Sequence, residues 1–371
     1  MIMLRCAYWI AALFITALVM AKFSQQTGFT SLIRFGTAWQ ESRLSRLQGL
    51  PIANSSGYDG QFYAQIALDP LLRDPGLKQA IDAPAYRARR ILCPAIASIL
   101  GLGNPWRTLQ VYALLNVFCW FALAWLLQRS IGTDGWISFG RWFGCMFSLG
   151  VLDSVRQSLV DLPALLLLFL AVDSQARAPS PRRTMWLALG NLAKETSLLG
   201  SLALSLDPVE TKNHWRRILL SLACASLPLG LWMCYVQQRF GGASAIAGSG
   251  NFTWPLLGLL TQARISLGQV WHGELDGRHS FGLLAMVGFS VQSWVLWRAP
   301  RLQSAWWRIG AAYSLLLLVL SLWVWSGYWA ACRAVLPLTL AFNLLLPASR
   351  RFWLLWALGN ITLLNGVWRF L

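Results

Sequence analysis

Residues 7–21 read AYWIAALFITALVMA, an apolar run that lies between Arg5 and Lys22. Its length resembles that of a secretory signal peptide, but no A-x-A cleavage signal follows it. The run therefore predicts an uncleaved first transmembrane helix. By the positive-inside rule, Arg5 places the amino terminus in the cytoplasm.

The composition of the whole chain agrees with this first helix. Of its 371 residues, 56% are hydrophobic and 12% are charged, whereas soluble domains carry roughly 25% charged residues. Further apolar runs follow at about 91–102, 106–127, 136–152, 158–172, 184–206, 217–236, 281–297, 307–326, 329–347 and 352–368. We predict an all-α, polytopic transmembrane bundle of about nine to eleven helices, some of them short or broken. It forms a single domain over residues 1–371.

The formal net charge of +17 has its source in short basic clusters between the apolar runs. Positive-inside topology and anionic lipid headgroups explain such clusters better than nucleic-acid binding does. The clusters at 177–183, 298–308 and 350–351 predict cytoplasmic loops. Counting crossings between them places three segments on the outer face: 23–90, 240–280 and 326–333. The number of crossings between residues 91 and 157 stays open.

The polar segment at residues 23–90 interrupts the apolar pattern and holds Pro, Gly and several acidic residues. We interpret it as a long first external loop whose short amphipathic helices lie on the bilayer surface.

Within this loop, the stretch GYDGQFY at residues 57–63 places the carboxylate of Asp59 between glycines and aromatic residues. Glycine allows close backbone approach, aromatic faces stack on sugar rings, and a carboxylate can accept a proton from a hydroxyl. The pattern indicates a sugar site with Asp59 as the base. We assign substrate contacts to the remaining side chains of the stretch, Tyr58, Gln61, Phe62 and Tyr63. The alternative is an acidic turn whose aromatic residues anchor an amphipathic helix at the membrane surface.

Residues 82–90, DAPAYRARR, lead directly into the apolar run that begins at Ile91. If residues 86–90 are helical, Arg87 and Arg90 share a face. Two guanidinium groups at a membrane boundary suit a phosphate or pyrophosphate. The alternative is ordinary contact between these arginines and lipid headgroups.

Ionisable residues also interrupt the later apolar runs, at Asp153, Arg156, Asp161, Lys194, Glu195 and Arg333. A charge at membrane depth costs on the order of 2.5–3.5 kcal/mol, so such residues face a cavity or a partner. We predict that Arg156, Lys194 and Glu195 line a cavity of this kind. Two alternatives are structural pairs, such as Lys194 with Glu195 or Asp153 with Arg156, and a proton or ion pathway.

With these residues in view, the chain resembles the GT-C superfamily of polytopic glycosyltransferases. It is most similar to bacterial membrane proteins assigned to cell-surface glycopolymer formation. The likeness rests on YDGQFY at residues 58–63 and on the D-x-P-A-Y-R-x-x-R pattern at residues 82–90. Further matches are the (K/R)-E-(T/S) island at 194–196 and the arginine before a late L-P helix at 333–337.

The resemblance implies a helical bundle whose long first external loop lies over a lateral cavity. It implies inverting transfer of a sugar from a polyprenyl-phosphate donor to a glycan, lipid or protein acceptor. Asp59 is then the general base, while Arg87, Arg90 and Arg333 bind the phosphate. No cofactor is expected, and a divalent metal is not supported, because Tyr58 and Gly60 flank Asp59 where an acidic pair would stand. The protein would be a multi-pass protein of the bacterial inner membrane with its site on the extracytoplasmic side.

Two other functions remain open. A transporter or flippase for a lipid-linked or amphiphilic substrate would use the buried charges as a pathway, and it predicts repeats or paired broken helices in two halves. The sequence contains neither. A non-catalytic partner in envelope polysaccharide assembly predicts that no acidic residue is individually essential.

Overall fold

The computed structural model describes residues 2–174, 181–206, 214–241, 248–273 and 276–370. Over these residues the fold is helical apart from one parallel strand pair, which confirms the predicted all-α class. The first loop and its surroundings contain α1 (Ile2–Met20), β1 (Phe35–Gly36), β2 (Asn54–Ser55), α2 (Gly60–Leu68), α3 (Leu77–Ala80), α4 (Pro84–Ala88), α5 (Leu92–Gly101) and α6 (Pro105–Ile131). The middle of the chain contains α7 (Trp136–Met146), α8 (Leu149–Arg156), α9 (Asp161–Asp173), α10 (Pro181–Ala193), α11 (Ser197–Ser205), α12 (His214–Phe240) and α13 (Leu257–Trp271). The last part contains α14 (Gly277–Arg298), α15 (Ala305–Val319), α16 (Leu322–Ser326), α17 (Tyr328–Ala334), α18 (Leu336–Leu345), α19 (Phe352–Gly359) and α20 (Leu363–Phe370).

Four of the described helices are long and apolar enough to span a membrane, namely α1, α6, α12 and α14. A fifth span results if α17 and α18 are counted together, although they are bent by 63°. Pro337 lies in the first turn of α18. Because proline has no backbone N–H and clashes with the preceding turn, α17 cannot continue through it. The sequence predicts about nine to eleven transmembrane helices, and this number remains a prediction.

Two apolar runs of the sequence are each divided into two helices in the structure. The run 136–152 becomes α7 and α8, and the run 184–206 becomes α10 and α11. The second break falls at residues 194–196, where the charged island was expected to interrupt the helix. One helix, α13, lies within the segment 240–280 that the sequence indicated as an outer loop.

The first loop is folded into the protein, which corrects part of the prediction for it. All nine residues of α2 are buried, so this helix does not lie on a bilayer surface with one face exposed. It packs against α5 and α6, within the larger of the two main hydrophobic clusters. The beginning of α2 is thereby fixed where Asp59 precedes it.

Candidate functional site

A cavity of about 560 Å³ opens between the first loop, the break between α10 and α11, and the helices α15 to α17. One part of its wall is charged and comprises Asp59, Asp82, Arg87, Arg89, Arg90, Asp161, Lys194, Glu195 and Arg333. Another part is apolar and comprises Phe252, Leu316, Leu320, Trp323, Val324, Ala330 and Ala334. Because the charged part holds five basic and four acidic side chains, it carries one net positive charge. A wall of this kind suits a ligand with one anionic group and one apolar part.

The local backbone fixes Asp59 at the edge of this cavity. Gly57 has φ +85°, and a Cβ there would lie 2.8 Å from the Cα of Gly36. A Cβ on Gly60 would overlap the carbonyl oxygen of Gln157. Both glycines are therefore required by close contacts within the chain. The sequence had instead suggested that they admit a ligand.

The Asp59 carboxylate is directed towards basic side chains. It stands at the N-cap of α2 but makes no capping hydrogen bond. Its Oδ1 accepts from Arg87 Nη2 at 2.9 Å, and its Oδ2 lies 3.8 Å from Arg333 Nη1. Burial raises the pKa of this carboxyl, but Arg87 and Arg333 lower it more, so that the pKa lies below the usual range for aspartate. With 26% of its side chain exposed, Asp59 presents its carboxylate at the cavity wall.

Neighbouring side chains accept hydrogen bonds from nearly all N–H groups of the Arg87 guanidinium. Its Nε and Nη2 donate to the two oxygens of Asp82 at 2.9 and 2.7 Å, and Nη2 also donates to Asp59. A longer contact of 3.5 Å joins Nη1 to the hydroxyl of Tyr63, and the guanidinium lies 5.3 Å from the ring centroid of Phe62. Since an arginine has five N–H groups, only one of them, on Nη1, has no acceptor among the described residues.

Arg90 is occupied in the same way by other partners. Its Nε and Nη2 donate to Glu195 at 2.8 and 2.6 Å, while Nη1 and Nη2 donate to the hydroxyls of Tyr63 and Tyr86 at 2.6 Å. Helix α4 ends at Ala88, so Arg87 and Arg90 do not share a helix face as the sequence suggested. They meet instead at the hydroxyl of Tyr63.

Lys194 and Arg333 make fewer short hydrogen bonds than Arg87 and Arg90 do. Lys194 Nζ contacts Asp161 Oδ1 at 2.6 Å, and Arg333 Nη1 lies 3.5 Å from Asp161 Oδ2. The one short hydrogen bond of Arg333 runs from Nη2 to the hydroxyl of Tyr58 at 2.9 Å. Lys194 therefore has two N–H groups without an acceptor among the described residues, and Arg333 makes only longer contacts, of 3.5 to 3.8 Å, to carboxylates.

Four residues of the GYDGQFY stretch, Tyr58, Gln61, Phe62 and Tyr63, are not among the described residues that line the cavity. Tyr58 and Tyr63 accept hydrogen bonds from the lining arginines, and Phe62 lies beside Arg87. Gln61 accepts from the backbone N–H of Gly36 at 2.8 Å. These side chains hold the charged wall in place.

The charge pairs differ from the structural alternatives that the sequence suggested. Lys194 pairs with Asp161 and not with Glu195. Glu195 pairs with Arg90. Arg156, which was predicted to line the cavity, instead donates to the carbonyl oxygen of Ser31 at 3.0 Å and is not among the described lining residues.

Sequence reasoning missed four residues of the site. Asp82 and Tyr86 lie within the DAPAYRARR stretch, but neither received a role of its own. Asp161 was noticed as a buried charge but received no role. Asn251 donates to the Tyr86 hydroxyl at 3.2 Å, and no sequence signal pointed to it.

No cluster of three or more His, Cys, Asp or Glu side chains suited to a metal ion occurs in the described ranges. The chain matches no protein-family model, no curated protein and no solved structure.

Proposed function

We propose that the protein is a membrane glycosyltransferase that moves a sugar from a polyprenyl-phosphate donor to a glycan, lipid or protein acceptor. The observation that carries this proposal is the position of the Asp59 carboxylate beside Arg87 and Arg333 at the wall of the cavity. The acceptor oxygen forms a bond to the anomeric carbon while the bond from that carbon to the phosphate oxygen breaks. The electron pair leaves with the phosphate, and Asp59 takes the proton of the acceptor hydroxyl.

The charged wall supports a phosphate-linked donor. A phosphodiester carries one negative charge, which matches the single net positive charge of the wall. Negative charge grows on the phosphate as the glycosidic bond breaks, and fixed cations stabilise it. Because Arg87 and Arg90 are occupied by carboxylates and tyrosines, we assign the direct phosphate contacts to Lys194 and Arg333.

The apolar surroundings support a donor with a lipid chain. An apolar groove of about 570 Å³ is lined by Pro70, Leu71, Ile91, Ala95, Ile99, Leu192, Pro228, Leu231, Trp232 and Tyr235. Ile91 directly follows Arg90 of the charged wall, and Trp232 donates to the carbonyl oxygen of Ala88 at 2.7 Å. The groove therefore adjoins the arginine segment, where an isoprenoid chain would continue from the phosphate.

We place the protein in the bacterial inner membrane, as a multi-pass protein with its cavity on the extracytoplasmic side. The helices that could span a membrane support the location in a membrane. The basic clusters at 298–308 and 350–351 support the orientation.

The proposal is tested by single-turnover transfer from a polyprenyl-phosphate sugar, with donor binding measured on the same purified samples. Asp59→Asn keeps the size of the side chain but cannot accept a proton, so we expect a loss of about 10²- to 10⁴-fold in transfer rate with donor binding retained. The matched control is Asp74→Asn, because Asp74 serves a local turn by accepting from the N–H of Gly76 at 2.9 Å. This control should keep substantial activity.

Transfer by Asp59→Asn within a few-fold of the wild-type rate would remove the base assignment. Wild-type protein that binds the donor without transferring the sugar would favour the transporter alternative.

A further inference from the structure

Asp82 holds Arg87 with a geometry that its position in the sequence does not require. Its Oδ1 accepts from the N–H of Ala83 at 2.7 Å and from Arg87 Nε at 2.9 Å, while its Oδ2 accepts from Arg87 Nη2 at 2.7 Å. This is the two-point contact between a carboxylate and a guanidinium that fixes the plane of an arginine. Asp82 also lines the cavity, with 34% of its side chain exposed.

A purely local role does not explain this arrangement. The N-cap of α4 is Ala83, and no side chain caps this helix. Other acids of the same loop show what a turn residue does here: Asp69 accepts from the N–H of Asp74, and Asp74 accepts from the N–H of Gly76. Both bond to backbone within a few residues. Asp82 differs because two of its three hydrogen bonds go to a charged side chain of the site.

The two carboxylates Asp59 and Asp82 share one nitrogen of Arg87. Nη2 donates to Asp59 at 2.9 Å and to Asp82 at 2.7 Å, so the single positive charge of Arg87 is divided between them. If Asp82 were neutral, the guanidinium could turn further towards Asp59. The carboxylate of Asp59 would then be held more tightly and would accept a proton less readily.

We propose that Asp82 is a positioning residue for the reaction proposed above: it fixes Arg87 so that one N–H stays on Asp59 and the guanidinium cannot close fully on that carboxylate. This role rests on the proposed function. Asp82 acts through Arg87 and needs no contact with the sugar. It also keeps Arg87 from moving onto the phosphate, which leaves that contact to Lys194 and Arg333.

The test compares wild type, Asp82→Asn, Asp82→Glu and the control Asp74→Asn. For each purified protein, kcat and the donor KM are measured with a short-chain polyprenyl-phosphate sugar over a range of pH. We expect Asp82→Asn to lower kcat by roughly threefold to tenfold while the donor KM changes by less than about threefold. The acid limb of the pH–rate profile of this variant should move to lower pH, because Arg87 then stabilises the ionised form of Asp59 more strongly. Asp82→Glu keeps the carboxylate and should recover most of kcat and the wild-type acid limb.

Different failures lead to different conclusions. Active wild type together with an unchanged kcat and pH profile in Asp82→Asn would remove only the role of Asp82. The same holds if Asp82→Asn lowers the yield of folded protein but leaves the kinetics of each folded molecule unchanged, or if Asp82→Glu is as impaired as Asp82→Asn. Wild-type protein without any transfer activity would remove the proposed function and this role with it.

Discussion

The pair formed by Lys194 and Asp161 allows a quantitative test of how the cavity wall is stabilised. Its N–O distance is 2.6 Å, and the two side chains are only 10% and 6% exposed. At that distance the Coulomb attraction is about 6 kcal/mol for an effective dielectric constant of 20, and the cost of removing both charges from water offsets much of it. Removing one partner of such a pair costs about 3–5 kcal/mol, because the other charge stays buried.

The two single substitutions should lower the free energy of unfolding by different amounts. Lys194→Met leaves Asp161 with Arg333 Nη1 at 3.5 Å, so we expect a loss of about 3 kcal/mol in the free energy of unfolding. Asp161→Asn leaves Lys194 without a carboxylate partner among the described residues, so we expect a loss of about 5 kcal/mol in the free energy of unfolding. The double variant, which combines Lys194→Met with Asp161→Asn, should be more stable than either single variant, since it leaves no lone charge from this pair.

Denaturant titration of the purified proteins in detergent measures these differences. The matched control is Lys78→Met at an exposed position, which should change the free energy of unfolding by less than about 0.5 kcal/mol. If Lys194 contacts the donor phosphate, the double variant should stay inactive even though its stability is largely restored. A double variant less stable than both single variants would refute the reasoning about the pair, and recovery of activity would assign Lys194 a structural role only.

Three further predictions concern orientation, phosphate contact and pH. Cysteines introduced at the exposed Ser56 and at Ser326, in a background without the seven native cysteines, should react with an impermeant thiol reagent in intact spheroplasts. If the cysteine introduced at Ser56 is labelled only after permeabilisation, the cavity lies on the inner face. Arg333→Lys should raise the donor KM by about tenfold, because lysine lacks the planar fork of donors, and the steady-state kinetics should show a smaller effect for Arg87→Lys. Because the pKa of Asp59 is held below its usual range, the carboxylate loses its ability to accept a proton only below about pH 4. A pH–rate profile should therefore be flat down to that value, and an acid limb near pH 6 would contradict this.

Much of the fold follows from the apolar pattern of the sequence. The runs at 7–21, 91–102, 106–127 and 217–236 correspond to α1, α5, α6 and α12, with ends that differ by a few residues. The pattern could not predict where a run is divided without a charge to mark the break. For example, α7 ends at Met146 and α8 begins at Leu149 within one apolar stretch.

The burial of α2 was also not predictable from local sequence. Its nine residues, GQFYAQIAL, contain polar side chains that an isolated helix would turn to water. In the structure these side chains find backbone partners from other elements: Gln61 accepts from Gly36, and Gln65 donates to the carbonyl oxygen of Ala80. Because polar groups can be buried once they are hydrogen-bonded, tertiary contacts decided the position of this helix.

For the site, the sequence indicated which residues belong together better than it indicated what each of them contacts. Asp59, Arg87, Arg90, Lys194, Glu195 and Arg333 all line one cavity. Several of their partners, however, lie far away along the chain: Asp59 is 28 positions from Arg87, Glu195 is 105 from Arg90, and Tyr58 is 275 from Arg333. Helical spacing predicts contacts only between residues three or four positions apart, so it cannot predict these pairs.

These distant partners change the chemistry that the basic motif suggests. Two arginines near a membrane boundary favour a phosphate site on residue type alone. In the folded protein, however, carboxylates occupy the Nε and Nη2 donors of both Arg87 and Arg90, and a phosphate could bind there only by displacing one of them. Displacement would leave a carboxylate of the wall without its cation, which is costly at a partly buried position. Lys194 has two N–H groups beyond its contact with Asp161, and Arg333 makes one short hydrogen bond, to Tyr58, so we propose these two residues as the phosphate contacts.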